Sequence, residues 1–203
     1  MPEAKLTLRD RILEARRQFL IEDGLRALSM RRIAKRIGIS ATSIYIYFDN
    51  KDHLVHTLME ESLEQLAASI EKSATVETEP VKKFRSIIKA YIDFAFQNPE
   101  NYQIIYLVQP GAMAPFPQEK FRKSRRSFEL LVSVIEEGVR EGSMQAATPL
   151  IAAYSIWAQL HGVVSVVLTQ RLDKRIKQDE FIQEATEQII QGVMGKTSIS
   201  YGD

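Results

Sequence analysis

The sequence contains no cysteine among its 203 residues, a single tryptophan and only three histidines. The missing cysteine excludes disulfide bonds, thiolate metal sites and a cysteine nucleophile, so the fold depends on packing alone. The sequence also has no glycine-rich phosphate loop and no Gly-x-Ser-x-Gly turn, which weighs against the common enzyme classes that use them. We therefore expect a protein that is not an enzyme, with no catalytic residues and no cofactor.

A net charge of only +1 hides an uneven distribution. Residues 1–53 carry 11 Lys and Arg against 7 Asp and Glu, a net of +4, whereas residues 54–203 carry 16 against 19, a net of −3. A basic N-terminal part on a mildly acidic body is expected if the first part meets DNA. The charges near the N-terminus precede no apolar run, so we expect no signal peptide and a cytoplasmic protein.

Residues 29–51 predict two short helices around a tight turn. Ser29 is placed to cap the first helix, and Gly38 to end it in the left-handed conformation. Ser40 is placed to cap a second helix, Ala41 to Phe48. Helices separated by so few residues must cross steeply, which predicts a helix-turn-helix.

The second helix of this pair indicates function. Ile44 and Phe48 share one side and are expected to point inward. The remaining arc carries two hydroxyls, an aliphatic group and a tyrosine: Thr42, Ser43, Ile46 and Tyr47. Such an arc suits the major groove of DNA, where hydroxyls reach phosphates and base edges and an aliphatic group meets a thymine methyl. Taken alone, the pair is equally compatible with a helical hairpin that has an ordinary basic surface.

These residues resemble the N-terminal signature of the tetracycline-repressor (TetR) family of transcriptional regulators over about the first quarter of the chain. The matching positions are Ile12, Leu13, Ala15, Gly24, Ile33, Ala34, Gly38, Ile39, Ser40, Ile44, Tyr45, Tyr47, Phe48, Lys51 and Leu54. Three positions depart from the family pattern. Arg16 replaces a usual alanine and Leu20 a usual phenylalanine, which bears on packing and solvation. Ile46 replaces a polar residue, which bears on the base pairs that are read.

The resemblance implies a DNA-binding protein and places its contacts. The family's DNA-contact positions correspond to Arg31, Thr42, Ser43, Tyr45, Tyr47 and Lys51, and we add Ile46. The implied fold is all-α, with an N-terminal three-helix helix-turn-helix domain (residues 1–53) joined to a larger helical ligand-binding and dimerisation domain (residues 54–203).

Apolar spacing predicts the other helices. They are expected at about Leu8–Asp23, Asp52–Lys72, Val81–Asn98, Glu100–Val108, Gln118–Glu141, Thr148–Gln170 and Asp179–Met194, with a polar break at 73–80 and a proline-rich loop at 110–117. The basic run Lys120, Arg122, Lys123, Arg125 and Arg126 is typical of a solvated face, although it could attract an acidic ligand or extend a DNA contact. His53, His56 and Glu60 have metal-compatible spacing, but an ordinary helix face is the better interpretation, so no metal is expected.

Residues 148–170 are apolar nearly all round the helix. Polar residues interrupt the segment, which argues against a membrane span. Such a helix needs cover on every side, and a second copy of the chain would supply it. We therefore expect a homodimer whose interface is a bundle of four helices, two from each chain.

Trp157, His161 and Gly162 resemble a Trp-x-x-x-His-Gly motif of one C-terminal domain type in the same family. If they face inward, Trp157 and His161 could line a ligand pocket. The further candidates for its wall are Tyr91, Phe94, Tyr102 and Tyr106. A packed core histidine beside a tryptophan is the somewhat better interpretation.

Together these features predict a DNA-binding transcriptional regulator. We expect a repressor that a small apolar or amphipathic effector releases from a palindromic double-stranded DNA operator. Two alternatives remain. One is a ligand-independent, DNA-bound scaffold that recruits a protein, and the other is a module that binds only proteins.

Overall fold

The computed structural model describes residues 6–23, 29–107 and 125–194, and within these ranges all regular elements are helical, which confirms the all-α fold class. The helices are α1 (Leu8–Asp23), α2 (Met30–Ile37), α3 (Ala41–Tyr45), α4 (Lys51–Thr75), α5 (Pro80–Gln97), α6 (Pro99–Tyr102), α7 (Arg126–Arg140), α8 (Pro149–Leu168) and α9 (Gln178–Gln191). A π-helical turn, Gln103–Leu107, follows α6. The chain forms two compact units, the first from Met1–Gln65 with Asn98–Ser124 and the second from Leu66–Gln97 with Arg125–Asp203.

The core of the first unit collects the apolar stripes of α1, α2, α3 and the start of α4. α1 contributes Ile12, Ala15 and Phe19 at the spacing of one helix face, and all three are buried. The other fully buried members are Ile33, Ile44, Phe48, Leu54, Leu58 and Ile104. This packing holds the two short helices, which have too few residues to be stable alone.

A polar layer joins three helices of the first unit. Arg17 Nη1 on α1 donates a hydrogen bond to Asn101 Oδ1 on α6. Ser62 Oγ on α4 donates to the same oxygen at 3.3 Å, and Asn101 Nδ2 donates to Gln65 Oε1 at 2.7 Å. Because Ser62 and Asn101 are buried, these bonds fix how the three helices pack.

Arg16, the residue before Arg17 on α1, is fully buried, although its charge would favour the surface. Its three guanidinium nitrogens have no hydrogen-bond partner among the described residues. Burial lowers the pKa of Arg16 to about 10, so the side chain is still charged at neutral pH. Arginine in place of the usual alanine therefore puts a charge in the interior that no hydrogen bond with a described residue compensates.

The second unit is built on α5, which packs against α7 and α8, while α8 also packs against α7 and α9. α5 buries Phe84, Ile87, Ile88 and Tyr91 along one side. Two ion pairs tie its outer side to neighbouring helices, Lys83 to Glu137 on α7 at 2.9 Å and Arg85 to Glu187 on α9 at 2.8 Å.

One side of α8 is not covered by the part of the chain that the structure describes. Only 28% of its most apolar stretch is buried, and Leu150, Ile151 and Tyr154 are 45%, 64% and 51% exposed. Among the described helices α8 alone is long and apolar enough to cross a membrane, and one such helix is weak evidence for a span. The exposed face is the surface that the predicted dimer would cover.

Several predicted boundaries differ from the structure. The polar break is shorter than the predicted 73–80, because α4 runs to Thr75 and α5 begins at Pro80. The hydroxyls of Ser73 and Thr75 donate to carbonyls three residues earlier, which lets polar residues stay helical. The stop at Gly24, the loop 110–117 and the helix start at 118–124 lie outside the described residues. The two compact units are separated at residues 65/66, 97/98 and 124/125 and so do not correspond to the predicted domains. The division into domains 1–53 and 54–203 stays a prediction.

Candidate nucleic-acid interface

Three small residues set the geometry of the turn between α2 and α3. Ser29 Oγ accepts a hydrogen bond from Arg32 N at 3.2 Å, which caps α2. Gly38 ends α2 at φ 73°, a left-handed conformation that glycine adopts without strain. Ser40 Oγ accepts from Ser43 N at 3.1 Å and caps α3. These three predictions are confirmed, and they fix where α3 begins.

α3 directs its side chains as its spacing predicts. Ile44 and Phe48 are 0% and 1% exposed, so both anchor the segment in the core. Thr42 is exposed and Ser43 half-buried, with Ser43 Oγ 2.9 Å from Ser40 Oγ. Hydroxyls on this side can bond phosphates or base edges.

α3 ends three residues earlier than predicted. Instead of continuing to Phe48, the helix stops at Tyr45, and the amides of Tyr47 and Phe48 both donate to Ile44 O at 3.0 Å. Asn50 then caps α4, because its Oδ1 accepts from His53 N at 2.8 Å. The chain must leave α3 before this cap, which explains the early end, and this role of Asn50 was not predicted.

The early end leaves three bulky side chains on an exposed turn. Tyr45, Ile46 and Tyr47 are 52%, 77% and 40% exposed. Two phenol hydroxyls and one aliphatic side chain thus project at the end of α3, and Lys51 follows four residues after Tyr47 as the first residue of α4. Phosphate bonds from the tyrosines and a methyl contact from Ile46 are within the chemistry of these groups.

α2 supplies the positive charge beside this turn. Arg31 and Lys35 are exposed on its surface. The guanidinium carbons of Arg32 and Arg36 lie 4.9 and 4.7 Å from the centre of the Phe19 ring, which holds both against α1. Arg11 Nη2 donates to Ile37 O at 2.8 Å and attaches the end of α2 to α1. The result is a fixed cationic surface, suited to a polyanion.

The histidines of α4 do not share one exposed face as their spacing suggested. His56 is buried, whereas His53 is half-exposed, with Nδ1 3.0 Å from Asp49 Oδ2. His53 also packs edge-on against Phe48 with ring centres 5.7 Å apart. Within the described part of the chain, no three His, Asp or Glu side chains are grouped as metal ligands.

The six aromatic pocket candidates belong to two different units. In the first unit Tyr102 is buried, and its ring centre lies 4.9 Å from that of Tyr106. In the second unit Tyr91 and Phe94 are buried. Trp157 and His161 stack at 5.5 Å with ring planes 19° apart, and both are half-buried. Burial lowers the pKa of His161, which favours the uncharged imidazole.

The predicted basic run is described only at its end. Lys120, Arg122 and Lys123 lie outside the described residues. Arg125 pairs with Glu129 at 3.2 Å, and Arg126 Nε donates to Glu71 Oε1 at 2.5 Å. Both described members are thus joined to carboxylates, as expected of an ordinary helix surface.

Known proteins are similar to this chain in sequence and in fold. Residues 12–58 match the family described as bacterial regulatory proteins, tetR family, and residues 84–189 match the tetracyclin repressor-like C-terminal domain. The transcriptional repressor KstR2 of Mycolicibacterium smegmatis is 25% identical over 146 residues, 71% of each chain. The nucleoid occlusion factor SlmA of Haemophilus influenzae is 31% identical over 78 residues, 38% of this chain and 36% of its own.

A solved structure extends the likeness of fold. The TetR-family regulator PfmR from Thermus thermophilus superposes with a TM-score of 0.73 at 20% identity, covering 90% of this chain and 98% of its own. At that identity the likeness concerns the fold alone. The match at residues 12–58 spans α2, the turn and α3, and so contains the surface described above.

Proposed function

This chain belongs to the TetR family of DNA-binding transcriptional regulators, and from that premise we propose that it is a repressor which a small apolar or amphipathic effector releases from a palindromic operator. Regulators of this family are not enzymes, and they are cytoplasmic proteins that act as dimers. The observation that carries the proposal is the exposed turn Tyr45–Tyr47, held by three caps beside the cationic surface of α2.

The proposed contacts divide by chemistry. Thr42, Ser43, Tyr45 and Tyr47 offer hydroxyls to phosphates and base edges, and Ile46 offers methyl groups to thymine. Arg31 and Lys51 neutralise phosphates near the ends of α2 and α4, where helix N-termini add to the attraction. Two copies related by a dyad would read two half-sites, which is why the operator is expected to be palindromic.

The grounds for proposing an effector are the size of the second unit and its aromatic side chains. An effector must favour one of two conformations of the dimer, because equal binding to both shifts nothing. Trp157 and His161 of the second unit, together with Tyr91 and Phe94, remain candidates for its contacts, as do Tyr102 and Tyr106 of the first unit. If no ligand changes the operator affinity of the protein, a ligand-independent, DNA-bound scaffold becomes the better account.

A genomic selection tests the DNA function. Purified dimeric protein is incubated with fragmented genomic DNA at about 150 mM salt, where non-specific binding is weak, and the bound fragments are sequenced. Enrichment of one palindrome is expected, with half-sites spaced by about one helical turn or more. A folded dimer that enriches no sequence would overturn the proposal and favour a module that binds only proteins.

A further inference from the structure

The second unit carries an open groove between α5 and α9 with a volume of about 500 Å³. This volume lies in the range of small-molecule sites, about 300–1,000 Å³. The described residues that line the groove include none of the six aromatic candidates discussed above. It is therefore a separate candidate for the place where an effector binds.

The floor of the groove is apolar. Ile182 and Ile190 on α9 stand two turns apart on one side of the helix, and Ile92 faces them from α5. Ile92 and Ile190 are 7% and 4% exposed, while Ile182 is half-buried. An apolar molecule on these three side chains would remove their remaining carbon surface from water.

One polar atom interrupts this floor. Thr186 lies between the two isoleucines on the same stripe of α9, and its Oγ1 is buried without a hydrogen-bond partner among the described residues. A buried hydroxyl without a partner is unfavourable, and a ligand oxygen that bonds it would recover part of that cost. Thr186 thus adds one hydroxyl to an otherwise apolar floor, and the exposed amide of Gln183 also lines the groove.

The charges at the rim are already compensated. Arg85 donates to both carboxylate oxygens of Glu187, at 2.8 and 3.0 Å, and this bonding, with a further hydrogen bond from Gln191, lowers the pKa of Glu187 to about 2. Lys89 pairs with Asp93 at 2.5 Å. Asp179 lies in the first turn of α9, where the helix dipole favours a carboxylate. A charged ligand would have to break one of these arrangements.

We propose that the groove between α5 and α9 binds an uncharged, largely apolar molecule with one hydroxyl or carbonyl oxygen, and that this molecule is the effector. Its carbon skeleton lies on Ile92, Ile182 and Ile190, and its oxygen bonds Thr186 Oγ1. The effector role rests on the proposed repressor function, whereas binding itself does not. Because α9 is also expected at the dimer interface, a ligand that wedges α9 from α5 acts on the arrangement of the two copies.

The test uses 1-octanol with the full-length protein labelled at the isoleucine δ1 methyl groups. The methyl signals of Ile92, Ile182 and Ile190 are expected to shift on titration and to yield a dissociation constant. Thr186→Val keeps the shape and removes the hydroxyl, so it should weaken 1-octanol binding roughly three- to tenfold. Thr75→Val, at the exposed end of α4 and outside the groove, is the matched control and should leave the affinity unchanged.

Charged probes of equal length test the chemical class. Octanoate and octyltrimethylammonium should bind at least tenfold more weakly than 1-octanol, and tighter binding by either overturns the assignment to uncharged ligands. Unshifted groove methyls, or equal affinities for wild type and Thr186→Val, overturn the site. Signals that change with protein concentration alone would show that a second copy occupies the groove, which also overturns it.

Operator binding is measured on the same samples. If 1-octanol binds in the groove but leaves the affinity for the selected palindrome unchanged, the effector role is wrong. If the protein selects no palindrome while the groove methyls still respond, the repressor function fails and ligand binding stands.

Discussion

Arg16 is the residue whose environment departs most from its chemistry. The side chain lies in the interior of the first unit with no partner for its guanidinium among the described residues. Taking a charge out of water costs free energy that only a close counter-charge or several hydrogen bonds can return. The spacing of α1 places position 16 on the buried stripe, four residues after Ile12 and three before Phe19, but the charge of an arginine argues against burial there.

We expect Arg16→Met to raise the free energy of unfolding by about 1–4 kcal/mol, since it replaces a buried charge by an apolar side chain of similar length. Urea unfolding measures the difference. The sign of its pH dependence follows from the lowered pKa. The unfolded chain holds the Arg16 proton more tightly, so the destabilisation is fully present below pH 10 and shrinks as pH rises above it. A less stable Met variant would show that the charge has a stabilising partner.

Lys51 is expected to act on DNA without regard to sequence. Lys51→Ala should weaken binding to the operator and to unrelated DNA alike, and lower the slope of log K against log salt by about one unit. Glu64→Ala on the exposed side of α4 is a control outside the interface. A slope equal to that of wild type would remove Lys51 from the phosphate contacts.

At the scale of elements, the sequence predicts helix boundaries that depend on local caps better than those that depend on the next helix. Ser29, Gly38 and Ser40 act through local hydrogen bonds and backbone conformation, which a short stretch of sequence contains. The end of α3 depends on the cap that Asn50 provides for the next helix, so the pattern of α3 alone could not show it. The groove depends on where α5 and α9 meet, which periodicity does not specify.

Gly138 on α7 is a case in which packing opposes helix propensity. A Cβ at this position would lie 2.6 Å from Sδ and 2.7 Å from Cγ of Met144, a buried side chain. Gly138→Ala should therefore lower the free energy of unfolding by about 1–3 kcal/mol, although alanine is the better helix former. In a Met144→Ala background the same change should no longer destabilise. Equal losses in both backgrounds would assign the effect to something other than this contact.

At the scale of the whole molecule, the exposed side of α8 is expected to form the dimer interface with α9. Ile151→Asp should raise the dimer dissociation constant at least tenfold, because it places a charge in an apolar interface. Val76→Asp is the matched control, since Val76 is 77% exposed in the break between α4 and α5. Analytical sedimentation measures the dimer dissociation constant of each variant. If Ile151→Asp and Val76→Asp both dimerise like wild type, the interface lies elsewhere.

The exposed turn after α3 also has a calorimetric consequence. In the free protein the carbon surfaces of Tyr45, Ile46 and Tyr47 are in contact with water. If the operator covers them, the heat capacity of the system must fall on binding, because apolar surface loses its hydration. Titration calorimetry at several temperatures should give a negative heat-capacity change that becomes smaller in magnitude for Ile46→Ser. Non-specific DNA, held through phosphates alone, should give a heat-capacity change near zero.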